Sequence, residues 1–461
     1  MKRRGHSPTT RTYQTMLNGL GRIEDFSAYS QQLKNATLLY DSFKRHLKSI
    51  QQTNPTDSEL SVNPIASYIK ILGNSKRYDE AYEALHSLDS EGPLSANHLV
   101  YTAMFQVLAS RPTVGTPISR RGDIRTLWAQ VVKASKKNPN FIIDTQLATA
   151  AIFALIRGQT VDHDFGFQIV RDFFGLCPPG TQPVTGSLAL SSKALTAVLR
   201  LCNASSNFDL CVDFFTKVKR RPVRIGGVDI LDRLHVEEVL RAHQALNVAT
   251  SGYQSLQILE WVLRQGGKGK INLQISTFHL ILTTCWHSAD WGAAMRTFDL
   301  MTGYRSHDFM DGAIKEQLRL DRSRRGCSPT AETMSSLVRT AYATRNYANM
   351  RQCLRMVDHL GLDTLLSQTS EDAESRTAAK NQRFYATKLA QGLVEMIEYL
   401  LAETKSQKFP ADLERWKTLL ERAKMELRLS GEAALVPTLQ RKIPVDVSPG
   451  EPIQIGKREL D

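Results

Sequence analysis

"KINLQISTFHLILTTCWHSADWGAAMRTFDLM", Lys270 to Met301, carries two apolar stripes joined by a polar turn. In the first stripe Phe278, Ile281, Leu282 and Cys285 follow one another by steps of 3, 1 and 3. Those steps put all four side chains on one side of an α-helix. In the second, the small residue Ala294 is followed four and seven places on by Phe298 and Met301. These again share one helical face. Between them "HSADW" is polar and turn-prone, so the stretch reads as a helical hairpin with one buried face per helix.

The same steps recur along the chain. They are found in Tyr13, Met16, Leu17, Leu20; in Ile65, Tyr68, Ile69, Leu72; in Tyr101, Met104, Phe105, Leu108; in Leu195, Val198, Leu199, Cys202; and in Met334, Leu337, Val338, Ala341. The second-helix pattern recurs in Ala81, Leu85, Leu88, in Cys211, Phe215, Val218, and in Met350, Leu354, Val357. Looser copies start near residues 144 and 233, and inserted loops stretch the first and third copies. Eight hairpins of about 35 residues therefore begin near positions 10, 62, 98, 144, 192, 233, 275 and 331. A lone hairpin cannot bury both faces, whereas a stacked neighbour covers one of them. The expected fold is all-α, an α-solenoid of stacked helical hairpins whose first helices line a concave surface.

Three regions are predicted. Residues 1–361 form the array. Residues 362–431 form a helical cap, with one helix from about Arg383 to Glu403 and another opened by Pro410 and ended by Gly431. In the latter, Leu413, Trp416, Leu419, Leu420, Ala423 and Leu427 make a single apolar face suited to closing a stack. A docking helix for a partner protein is the alternative. Residues 432–461, with Pro437, Pro444, Pro449 and Pro452, are expected to be extended or disordered.

Composition narrows the function. A length of 461 residues exceeds one compact core, and 42% apolar residues permit extensive burial. A formal charge of +13 favours a polyanionic partner, nucleic acid before membrane. The six cysteines are scattered without a Cys-x-x-Cys pair, which argues against a zinc ribbon or a thioredoxin-like site. No run approaches 18 uninterrupted apolar residues. The first 23 residues hold Lys2, Arg3, Arg4, Arg11 and Arg22 and no acid, as in an organellar transit peptide. The preferred reading is that Tyr13, Met16, Leu17 and Leu20 are the stripe of a first structural helix.

Chemistry is sparse. "GGKGK" (Gly266 to Lys270) lacks the spacing of an NTPase phosphate loop and follows no strand. "DHD" (Asp162 to Asp164), read as an inter-helix turn, has no second cluster to complete a metal site. No nucleophile elbow or paired-carboxylate cleft is found, so catalysis, metals and cofactors are not expected.

The hairpins resemble pentatricopeptide repeats, helix pairs of about 35 residues with this stripe, a small residue opening the second helix and a Gly-x-x-Pro-like tail. "GHSPT" (Gly5 to Thr9), "GPLSAN" (Gly92 to Asn97) and "GCSPT" (Gly326 to Thr330) match that tail. The rival tetratricopeptide repeat, a peptide-binding hairpin, wants a Trp and a Gly-x-x-Tyr step that these units lack. The resemblance implies single-stranded RNA binding, one nucleotide per repeat. It also implies a base-facing residue at the fifth position of each unit, partnered by the last. The fifth positions are Gln14, Ala66, Thr102, Ala148, Thr196, His279 and Ser335, and Asn97 and Thr330 stand at last positions. Ala66 and Ala148 cannot hydrogen-bond a base, so only some units could discriminate. Candidate phosphate contacts sit in the basic loops: Arg120 and Arg121; Lys219, Arg220 and Arg221; Lys268 and Lys270; and Arg319, Arg322, Arg324 and Arg325.

The expected role is an RNA-binding adaptor of the mitochondrial matrix, acting on mRNA or rRNA in processing, stability or translation. Association with the mitochondrial ribosome or with other RNA-processing proteins is a sub-alternative. A protein-interaction scaffold without RNA is the alternative from a different class. Because Met1 falls just before the tail "GHSPT", whose own helices are missing, an incomplete N-terminus is also expected.

Overall fold

The computed structural model describes residues 7–111, 123–265, 271–313, 326–367, 376–403 and 410–430. Nineteen α-helices account for most of them. Internal contacts divide the chain into two compact units, Met1–Leu231 and Asp232–Asp461, each described by itself below.

Unit 1 holds five helix pairs. They are α1 (Thr10–Leu20) with α2 (Ser30–Thr53), α3 (Asn63–Asn74) with α4 (Tyr78–His86), α5 (His98–Ser110) with α6 (Asp123–Lys137), α7 (Thr145–Leu155) with α8 (Thr160–Phe174), and α9 (Ser192–Ala204) with α10 (Phe208–Arg220). The first helices pack in chain order, α1 on α3, α3 on α5, α5 on α7 and α7 on α9. From α2 to α8, each second helix lies against its own first helix and the next one. The first helices therefore have neighbours on more sides, which explains why α5 and α7 are apolar almost all round while α6 and α10 carry a single apolar stripe.

Unit 2 repeats the plan. It comprises α11 (Arg233–Leu246) with α12 (Ser251–Gln265), α13 (Ile275–Ser288) with α14 (Trp291–Thr302), and α15 (Ala331–Ala343) with α16 (Tyr347–Leu360). A short α17 (Leu362–Ser367) follows, then α18 (Arg376–Glu403) and α19 (Pro410–Ser430). Helix α18 packs on α15 as the next first helix would, and α19 packs on α18 and α16. The α18–α19 pair thus continues the packing of the preceding pairs. Trp416, Leu419, Leu420, Ala423 and Leu427 are buried on one face of α19, and Leu413 is half-buried. Helix α18 begins at Arg376, ahead of the expected Arg383, and α17 has no counterpart among the expected elements.

Nearly every stripe residue is buried, including all four of the opening hairpin's first helix. Met16 is the exception at 52% exposed, and Leu20 is half-buried. Helix α1 packs mainly on α2 and α3, and no helix pair precedes it among the described residues to cover the other side of its stripe. Leu88 falls beyond the end of α4 and is half-buried. Close approach is visible at Gly73, where a Cβ would stand 2.5 Å from Val107 Cγ2 of α5.

Both ends of the first helices have a residue-level cause. Thr9, Asn97, Asp144, Ser191, Asp232 and Thr330 each accept a first-turn backbone N–H through a side-chain oxygen, the usual role of short polar N-caps. The inter-helix turn is also repeated. Lys76, Ser206, Ala289 and Arg345 adopt positive φ, and each is followed by Arg, Asn or Asp and then by an aromatic residue that opens the second helix. Arg77, Asn207 and Asp290 then donate backbone N–H bonds to Leu72, Cys202 and Cys285, closing the first helix. The "DHD" triplet is not in such a turn. It lies in the first turns of α8, where Asp162 accepts the Gln159 N–H at 2.9 Å.

Candidate nucleic-acid interface

One residue past the stripe, about 100° further round each first helix, runs the face holding the fifth, ninth and twelfth positions of the repeat. In unit 1 the fifth positions are Gln14, Ala66, Thr102, Ala148 and Thr196. Gln14 and Ala66 are half-buried and the other three are buried. Thr102 and Thr196 donate their hydroxyls to the carbonyls of His98 (2.7 Å) and Ser192 (3.1 Å), four residues back on their own helices. In this rotamer the hydroxyl proton serves the helix backbone.

In unit 2 the fifth positions are Glu237, His279 and Ser335, all buried. Glu237 had not been anticipated from the sequence. It pairs with Arg233 at 2.6 Å and Arg241 at 3.6 Å and accepts the Thr277 hydroxyl at 3.0 Å, so its charge is neutralised locally. His279 joins two helices: Nδ1 lies 3.1 Å from Glu332 Oε2 and Nε2 lies 2.9 Å from Thr333 Oγ1. With the Nδ1 proton toward the carboxylate, Nε2 accepts from Thr333. Burial alone would raise the Glu332 pKa, but hydrogen bonds from His279 and Tyr385 outweigh it and hold the carboxyl below its ordinary range. Ser335 has a buried Oγ with no hydrogen-bond partner among the described residues.

The last-position candidates are helix caps. Asn97 accepts from Leu99 N and Val100 N at 3.1 Å each and donates to Asn63 Oδ1 at 2.8 Å. Thr330 caps α15 through Thr333 N. The basic loops divide. Arg120, Arg121, Lys268, Lys270, Arg319, Arg322, Arg324 and Arg325 lie outside the described residues. Lys219 and Arg220 are exposed at the end of α10. Arg221 is half-buried and donates to the carbonyls of Phe174 (3.2 Å) and Gly175 (2.9 Å). Its guanidinium caps the C-terminus of α8 instead of standing open to a phosphate, because two final-turn carbonyls there need donors.

The ninth position, not singled out from the sequence, carries the accessible polar groups. In unit 1 it supplies exposed Asn18, Lys70, Gln106 and Arg200, interrupted only by buried Ile152. In unit 2 it supplies Arg241, Thr283 and Arg339. The recurrence was available in the sequence as the residue five places after each stripe's first member.

Beside this column, unit 2 carries aromatic rings at the twelfth position. The Arg339 guanidinium lies 5.0 Å over the Trp286 ring. Arg345 lies 4.1 Å over Tyr342 and 5.2 Å over Tyr399. Trp286 and Tyr342 occupy the same repeat position on successive first helices, whereas their cations come from the next first helix (Arg339) and from the following turn (Arg345). Among the described residues no group of three or more His, Cys, Asp or Glu is placed to hold a metal ion. None of the described helices is long and apolar enough to cross a membrane.

No protein-family model and no curated protein matches the chain. Among solved structures it is similar to the pentatricopeptide repeat protein PPR10 in complex with an 18-nt psaJ RNA element, at 15% identity and a TM-score of 0.46. That match covers 94% of this chain and 57% of the other. It is also similar to PPR10 from maize, at 14% identity and a TM-score of 0.35, covering 92% of this chain and 56% of that one. The chain spans less than two thirds of the length of these solved chains. By its own stripes, caps, repeated turn and pairwise stacking, the chain is an all-α protein of repeated helical hairpins.

Proposed function

We propose that this protein binds single-stranded RNA along the first-helix face and serves as an adaptor in the mitochondrial matrix, acting in RNA processing, stability or translation. Partners in that setting are mitochondrial mRNA or rRNA, with the mitochondrial ribosome or RNA-processing proteins as further associates. The observation that carries the reading is the ninth-position column. Lys70, Gln106 and Arg200 in one unit, and Arg241, Thr283 and Arg339 in the other, recur at one place per helix pair. A cationic and amide-bearing column with this period suits a chain that carries one charge per nucleotide. The +13 charge supports the polyanion.

Because four of the fifth-position side chains bond to protein groups, binding is expected to depend more on phosphate and stacking than on base edges. The test is filter binding of the purified chain to single-stranded RNA, duplex RNA and duplex DNA across a salt series. Preference for the single strand, with a log–log slope of about −0.7 per phosphate neutralised, is the expected result. Equal binding to duplexes, or no binding, would replace this reading with the protein-interaction scaffold.

A further inference from the structure

Trp286 near the end of α13 and Arg339 in the middle of α15 form a cation–aromatic stack. Trp286 Nε1 and Arg339 Nε are both buried, and neither has a hydrogen-bond partner among the described residues. Ser335, one helical turn before Arg339 on the same face of α15, has an Oγ in the same condition. Glu395 on α18 favours the charged guanidinium through space. Burial works against the charged form of Arg339, and its guanidinium lies over the indole face. Most other buried or half-buried arginines of this unit are committed to acids. Arg355 meets Asp311 and Asp412, and Arg233 meets Glu237.

A tryptophan N–H and a guanidinium N–H can only donate, and a serine hydroxyl can do so. Such a group next to an aromatic face fits a ligand that is rich in acceptors, negatively charged and partly planar. One unpaired nucleotide has all three properties. Building on the RNA-binding reading, we propose that Trp286, Arg339 and Ser335 form a nucleotide subsite that accepts any base. In it, Arg339 leaves the indole to take the phosphate, and the base replaces the guanidinium over the Trp286 ring. Stacking tolerates every base because each has a π face. The Arg345 stack with Tyr342 and Tyr399 offers the same chemistry at the following repeat.

The test uses the full chain and labelled U12 and A12 oligonucleotides, read by fluorescence anisotropy over a salt series. Arg339→Gln should weaken both oligonucleotides about tenfold and reduce the salt slope by about 0.7, one phosphate contact. Trp286→Ala should weaken both about tenfold, and Trp286→Phe, which keeps a ring, by about threefold or less. A folded Arg339→Gln chain with wild-type affinity and slope would overturn the subsite alone, since the unaltered chain would still bind. No binding by the unaltered chain would overturn the RNA reading and the subsite with it. Should a variant fail to fold, the unaltered chain still decides. 4-Thiouridine-labelled U12, photo-crosslinked and peptide-mapped, should mark the tryptic peptide containing Trp286, and crosslinks confined to other peptides would overturn the subsite.

Discussion

Ala289 holds a left-handed backbone, φ 54°, in the turn between α13 and α14. A Cβ is disfavoured there by about 1–2 kcal/mol, whereas glycine takes the conformation freely. Glycine also enlarges the entropy of the unfolded chain, which offsets part of the gain. Ala289→Gly should therefore stabilise the protein by about 0.5–1 kcal/mol, seen as a higher urea midpoint at constant slope. A lowered midpoint would show that this turn is held by something other than its backbone geometry. The same scale explains what the sequence concealed. Thr102, Thr196 and His279 are recognisable as fifth-position residues from spacing alone. Whether their polar atoms face a ligand or the protein depends on rotamer and neighbours, and spacing records neither. Thr102 turns to its own helix and His279 to Glu332 and Thr333, the latter across 54 positions of sequence.

Helices were more legible than side-chain roles because a buried stripe must repeat with the helical period, and only the apolar surface enforces it. All eight first helices start within a residue or two of their expected positions. The Trp286–Arg339 stack was not legible, since it depends on the offset between α13 and α15 as they pack. Packing at this scale is testable at Gly73, where α3 meets α5. Gly73→Ala pushes a methyl to 2.5 Å from Val107 Cγ2 and should cost about 1–3 kcal/mol. Adding Val107→Ala removes the clashing methyls, so the double variant should lose less than the sum of the two single losses. Simple additivity in urea denaturation would place the strain elsewhere. The contact of α16 with α19 gives a second test. Arg355 Nη2 lies 2.7 Å from Asp311 and 2.8 Å from Asp412, and Nη1 donates to Phe309 O at 3.1 Å, joining α16, α19 and the 306–312 segment. Asp412→Asn should cost about 1 kcal/mol, because Arg355 and Asp412 are half-buried and bonded in a network. Arg415→Gln, which breaks an exposed 3.4 Å pair with Asp358, should change stability by less than about 0.5 kcal/mol. Equal losses in the two variants would deny the network a special role.

For the whole molecule the governing quantity is the number of protons held by the folded and unfolded chains. His243 of α11 is buried, its Nδ1 has no hydrogen-bond partner among the described residues, and burial lowers its pKa to about 4. An unfolded chain returns it to about 6.5. Between those values the unfolded form binds more protons, so stability falls as pH drops through the window and the loss is complete below about pH 4. A shift of that size corresponds to about 3 kcal/mol. Glu332 acts in the same direction at lower pH. Its carboxyl, depressed by His279 and Tyr385, stabilises the fold above the ordinary carboxylate range and ceases to do so as it protonates. Thermal unfolding at constant ionic strength should therefore show a midpoint that declines from pH 7 toward pH 4.5. In His243→Leu that decline should flatten, whatever the variant's stability at neutral pH. A His243→Leu chain with the wild-type slope would mean that another group carries the proton uptake. In that case the carboxylates, of which Glu332 is the first to test by Glu332→Gln, would have to supply the acid sensitivity.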